Sequence, residues 1–217
     1  MKEFLPGGER TAEWIAYHNH LTLYAWLMQA LTTGMRAIND PAEIIDQVED
    51  QPGRPLVLTL ADKETVFLDR ARPARLPEML RTQLVACQAH TAHVVTALSI
   101  RPSLRDALRE DAPLFVLSER MKPAMLTRTW IEQQLDDLGY PLPANFARAY
   151  LRTELIAHGC PAESVDALLG HASPGERPFA AMASFDYARH FRAVEDAVLS
   201  VCREIHLVPV SSRLLAR

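Results

Sequence analysis

Residues 145–171 read NFARAYLRTELIAHGCPAESVDALLGH, and the reading of the whole chain turns on them. Glycine punctuates two helical segments here. A helix over residues 145–158 stops at Gly159, and a second over residues 161–169 ends at Gly170. Arg148 and Arg152 lie four apart on one face of the first helix, and His171 follows the second. Gly159 lies eleven residues after Arg148, and His171 twelve residues after Gly159.

On the C-terminal side, residues 173–179, which contain Gly175-Glu176-Arg177-Pro178-Phe179, read as an insertion-like stretch. Asp186 then caps a last helix running to about Ile205, with Tyr187 in its first turn. Residues 208–217 read as a loosely attached tail. On the N-terminal side, a helix over residues 127–138 is capped by Thr127 and stopped by Gly139, and residues 114–117 suggest a brief strand. A short helix over residues 103–109 starts at Ser103, and residues 78–98 form a long one.

Residues 55–76 change period. Leu56, Leu58 and Leu60 alternate with Val57 and Thr59, a strand pattern. Asp62-Lys63 sits in the polar break that follows, and residues 66–68 and 72–76 supply two more short strands. This predicts a small three-stranded antiparallel sheet as the one clear region of β-structure. Asp40-Pro41-Ala42-Glu43 carries a cap, a first-turn proline and a capping box, so a helix starts near Pro41. Residues 11–35 form an apolar helix with an expected break near His18–His20, ending in Thr32-Thr33-Gly34-Met35-Arg36. The fold class is therefore α+β, mainly α: one helical domain with a small sheet and no dividing linker.

Three separated segments carry a resemblance: Thr33-Gly34-Met35-Arg36 after an apolar helix; Lys63 followed by Ala71-Arg72-Pro73-Ala74-Arg75-Leu76-Pro77; and Arg148, Gly159 and Leu168-Leu169-Gly170-His171. Each alone is a weak signal. In this order and spacing the chain resembles the catalytic domain of the tyrosine recombinases, the phage-integrase family, in a divergent bacterial subgroup. The resemblance spans about residues 15–205 and makes residues 1–207 a recombinase-like catalytic domain, with 208–217 as its tail.

The resemblance implies the breaking and rejoining of DNA through a 3′-phosphotyrosyl link. Arg36 and Arg148 would clamp the non-bridging oxygens of a phosphodiester, on which charge gathers during attack. Lys63 would give a proton to the leaving 5′-oxygen, and His171 would bond the phosphate and move protons. Asn145 stands where the family carries a histidine; an amide can bond phosphate but cannot carry a proton. The nucleophile would be Tyr187, sixteen residues after His171, whereas the family's spacing falls on Ala180. Arg152 is a DNA-backbone contact, and it takes the role of Arg148 if the register slips by one turn.

Plainer readings stand beside these. Arg36 reads as a surface arginine, Lys63 as a solvated turn lysine, His171 as a helix-terminal histidine and Tyr187 as a packing tyrosine. Arg148 or Arg152 could pair with Glu154 or Glu163.

The resemblance implies double-stranded DNA and other recombinase subunits as partners, with no membrane, no metal and no small-molecule cofactor. His18, His20, His90 and His93 fall in no known ligand pattern. No run approaches the ~18 apolar residues of a membrane span. Three scattered cysteines argue against a disulfide framework and fit a reducing cytoplasm. A net charge of −4 speaks against coating nucleic acid through bulk charge. The basic residues are nonetheless nearly all arginines, the better type for bidentate phosphate contact. Only 35 residues precede Arg36, so the family's helical DNA-gripping domain is expected either to be missing from the protein or to belong to a longer chain of which this is a fragment. A second function follows from Asn145 and the displaced tyrosine: a catalytically impaired domain that binds DNA or a partner recombinase.

Overall fold

The long apolar segment near the N-terminus is the structural axis of the protein. A computed structural model describes residues 9–36, 57–60, 72–97, 114–120, 122–171, 178 and 183–213. In it α1 runs unbroken over Glu9–Thr33. The expected break at His18–His20 is absent because His18 is held by its side chain: Nε2 donates to the Phe115 carbonyl at 2.9 Å. From Leu21 onward α1 is buried on nearly every side, with Ala25, Trp26 and Met28 fully enclosed. A helix apolar all round belongs at the centre of a domain. α1 accordingly touches helix α2 (Glu78–Ala97), strand β3 (Phe115–Leu117) and the later helices that flank the site.

Strands β1 (Val57–Leu60) and β2 (Arg72–Arg75) pair antiparallel, with Val57 opposite Arg75 and Leu60 opposite Arg72. The expected third strand at residues 66–68 lies outside the described residues, as do Lys63, Ala180 and the helices expected near Pro41 and Ser103. A second hairpin corrects the expectation of a single β-region: β3 pairs antiparallel with β4 (Pro123–Met125). Phe115, Val116 and Leu117 are all buried, so β3 belongs to the core.

Four helices complete the described fold. α3 (Arg128–Asp137) starts at Thr127, whose hydroxyl accepts from Trp130 N at 3.2 Å. α4 (Phe146–Ala157) follows, with Asn145 at its N-cap. α5 (Ala162–Leu169) comes next, and α6 (Tyr187–Glu204) is capped by Asp186, which accepts from Arg189 N at 3.0 Å. α6 buries His190, Val194, Ala197, Val198, Val201 and Cys202, one stripe at helical spacing. It packs on α4, α5, β2 and α1. The architecture is mainly helical α+β, and among the described residues no helix is long and apolar enough to cross a membrane. Cys87, Cys160 and Cys202 are buried free thiols.

The segment after α6, expected to be loose, is bonded to α1 and α2 as far as residue 213. Tyr24 Oη donates to Val208 O at 2.5 Å, Gln83 Oε1 accepts from Val210 N at 2.7 Å, and Tyr17 Oη accepts from Arg213 N at 2.8 Å. Ser212 reaches deepest, to within 2.8 Å of His90 Nδ1, and is 3% exposed.

Candidate active site

Two helix C-termini meet at the site, and each ends in a left-handed glycine. Gly34 closes α1 at φ 60° and Gly170 closes α5 at φ 61°. That backbone region favours glycine because a Cβ would crowd the following carbonyl. Gly34 is constrained twice, since a Cβ there would stand 2.5 Å from Leu169 Cδ2 and 3.3 Å from Leu151 Cδ2. The close approach of α1 to α4 and α5 therefore depends on its bare backbone.

The last carbonyls of a helix lack intrahelical partners and carry the negative end of the helix dipole. Two arginines satisfy them. Arg148 lies on the buried stripe of α4 with Ala147, Leu151 and Leu155 and is 8% exposed. Its Nη1 donates to Gly34 O at 2.7 Å, and its Nη2 donates to Leu169 O. Arg72, on β2, is 4% exposed. It donates through Nη1 to Leu168 O and to Thr33 O (3.5 Å), and through Nη2 to Gly34 O (3.4 Å). The two guanidinium groups thus tie the end of α1 to the end of α5.

His171 follows directly. Its backbone N donates to Asp166 O at 2.8 Å, the bond that closes the α5 cap. Its Nε2 lies 3.1 Å from Arg148 Nη2. Burial holds the His171 pKa below the ordinary histidine value, and the charges of Arg148, Arg152 and Arg36 push the same way, while Asp166 pushes it up. Arg36, two residues past Gly34 and half-buried, therefore acts on the same ring. At this corner Arg148 thus touches His171 and the charge of Arg36 acts on the same ring, although 112 residues separate the two arginines.

The remaining candidates fall as follows. Arg152 points away from the core, half exposed, and its Nη2 lies 3.5 Å from Asp166 Oδ1. The inward position is therefore that of Arg148, and the ion pair is with Asp166, not with Glu154 or Glu163. Asn145 sits one turn before Arg148, and its side chain does not cap the helix. Tyr187 is the first residue of α6, at the edge of exposure, with its ring edge-on to Phe185 at 5.9 Å. Lys63 lies outside the described residues.

Two side chains at this corner escape a reading of spacing. Arg72 alternates with Ala74 and Leu76, and all three are buried, so an arginine on the apolar face of a strand was the available signal. Asp166, one α-helical turn and a cap before His171, left no signal. Away from the corner, Glu154, His158 and Glu204 bring one ligand atom each to within 4.8 Å of one another, and such a set could hold a divalent ion. His158 is ten residues past Arg148, about 15 Å along α4.

Chemically, the corner gathers positive charge beside the His171 imidazole, which favours an anion. No family model, curated protein or solved structure matches this chain.

Proposed function

We propose that this chain is a tyrosine-recombinase-like catalytic domain that cuts and rejoins double-stranded DNA through a phosphotyrosyl intermediate. One observation carries the reading: Arg148 Nη2 bonds His171 Nε2 at 3.1 Å while the charge of Arg36 bears on the same ring. These are the three side chains that the resemblance, carried by the order and spacing of the sequence segments, assigns to one phosphate.

In this reading the arginines hold the non-bridging oxygens of the scissile phosphate, where negative charge accumulates. The Tyr187 oxygen attacks phosphorus in line, a P–O bond forms, and the bond to the 5′-oxygen breaks. The departing oxygen takes a proton, for which the resemblance nominates Lys63. Rejoining is the reverse. Double-stranded DNA is the substrate, and further subunits bound to it are the partners. No metal is needed, because the arginines supply the positive charge.

Asn145 supports a second reading, since an amide cannot move a proton where the family carries a histidine. The chain would then bind DNA or a partner recombinase without cutting. Duplexes of randomised sequence, nicked beside the cleavage position so that the severed end diffuses away, separate the two. The first reading expects a covalent protein–DNA adduct that is lost in Arg36→Ala and Arg148→Ala. Retained DNA binding with no adduct supports the second.

A further inference from the structure

The neighbours of His171 assign both of its ring nitrogens. Arg148 Nη2 lies 3.1 Å from Nε2, and a guanidinium only donates, so Nε2 accepts. In the neutral ring the hydrogen is therefore on Nδ1. Asp166 Oδ1 lies 4.0 Å from that nitrogen. The main chain fixes the pair as well, through the bond from His171 N to Asp166 O at 2.8 Å. The charged groups facing the ring are Asp166 on α5, Arg148 and Arg152 on α4, and Arg36 after α1, three cations against one carboxylate.

We propose that Asp166 is the positioning residue for His171, and that the ring takes up one proton when a phosphate oxyanion enters beside Arg148. The proposal rests on the anion-clamp reading above and deepens it. Burial first, and then the three cations, favour a neutral ring. A phosphate oxygen beside Nε2 reverses that preference, because an accepting nitrogen repels an accepting oxygen. A proton from solvent then binds Nε2, the bond it accepts from Arg148 Nη2 breaks, and Nη2 and Nε2 both donate to the phosphate oxygen. Asp166 balances the new charge from the Nδ1 side and keeps Nε2 facing the anion. The pair thereby supplies a movable proton beside Arg148, a role that Asn145, one turn before Arg148, cannot fill.

The test follows the His171 ring in the full chain by nitrogen NMR, with its signals assigned by their loss in His171→Gln. Titrations span about pH 5 to pH 8. They use the wild type, Asp166→Asn and Asp166→Glu, each without ligand, with inorganic phosphate, and with a short DNA duplex. The neutral ring should carry its hydrogen on Nδ1. Asp166→Asn should move the midpoint to lower pH, and Asp166→Glu should restore it. Phosphate should raise the wild-type midpoint and bind roughly fivefold more tightly at the acid end, a gain lost in Asp166→Asn. The duplex should act in the same direction if a phosphodiester is the natural ligand; an effect of inorganic phosphate alone would assign the corner to a free anion. A hydrogen on Nε2 in the neutral ring, or a midpoint indifferent to Asp166→Asn, overturns the proposal. These readouts need no strand cleavage, so a chain that forms no DNA adduct but shows the shifts loses the recombinase reading and keeps this one.

Discussion

Arg72 and Arg148 donate to the same acceptor, the carbonyl oxygen of Gly34, at 3.4 and 2.7 Å. One arginine comes from a strand and the other from a helix, and both also reach the end of α5. Arg72 should therefore matter for stability although it was no candidate for chemistry. Arg72→Met keeps much of the volume but leaves buried carbonyls at two helix ends without their donor. It should cost about 3 kcal/mol or more in urea unfolding. Arg72→Lys should recover only part, since a single ammonium cannot fork across three carbonyls. A Met variant as stable as the wild type would show that the carbonyls find other donors.

Gly34 is where this junction is tightest. Gly34→Ala adds a methyl 2.5 Å from Leu169 Cδ2, at a positive φ. The side chain must be pushed back and the backbone strained, a cost of roughly 2 to 4 kcal/mol. The same change should weaken anion binding at the corner, because Gly34 O anchors Arg148. Calorimetric unfolding with and without phosphate reads both effects.

A buried chain of hydrogen bonds far from the corner sets an acid limit to stability. The Phe115 carbonyl can only accept, so His18 Nε2 bears hydrogen. His90 Nε2 then donates to His18 Nδ1 at 3.0 Å, and the Ser212 hydroxyl donates to His90 Nδ1 at 2.8 Å. Burial, and after it a neighbouring histidine, lower the pKa of His18 and of His90 to about 4. Burial lowers His190 to about 4 as well. The unfolded chain takes up these protons near pH 6.5 and the folded chain only near 4. Stability is thus fully present above about 6.5 and falls as the pH drops toward 4, by about 1.4 kcal/mol per unit for each histidine. Denaturant midpoints unchanged across that window would contradict the assignment. In His90→Gln the amide of Val210 should exchange faster, because the anchor of Ser212 is gone.

Binding to random duplex DNA should be weak and should fall steeply with salt. The net charge is −4, so attraction rests on local arginines rather than on the whole surface. Fluorescence anisotropy across a salt series tests this. Affinity that is tight at physiological salt and insensitive to added salt would count against it.

The corner was legible in the sequence where a residue's partners lie close in the chain. Arg148, Gly159, Gly170 and His171 occupy one helix pair, and their spacing carries the resemblance that implies arginine and histidine at one phosphate. The caps at Thr127 and Asp186 were legible for the same reason, each being a local bond. Arg72 was not, because its acceptors at Thr33, Gly34 and Leu168 come from distant segments. The bond from His18 to His90 spans 72 residues and that from His90 to Ser212 spans 122, so neither shows in any window. The tail misled for that reason: its terminal position reads as loose, while its bonds run to α1 and α2.

The most direct test of the account is the identity of the residue that joins DNA. Wild-type protein incubated with the nicked duplex pool, digested and analysed by mass spectrometry, should yield one nucleotide-bearing peptide, modified at Tyr187. Tyr187 is the last tyrosine in the chain and opens α6 beside its cap, Asp186. Tyr187→Phe should abolish the adduct with little change in the thermal unfolding midpoint, since the ring is kept and only the attacking oxygen is lost. An adduct that persists in the Phe variant, or one that maps to another residue, would contradict the account.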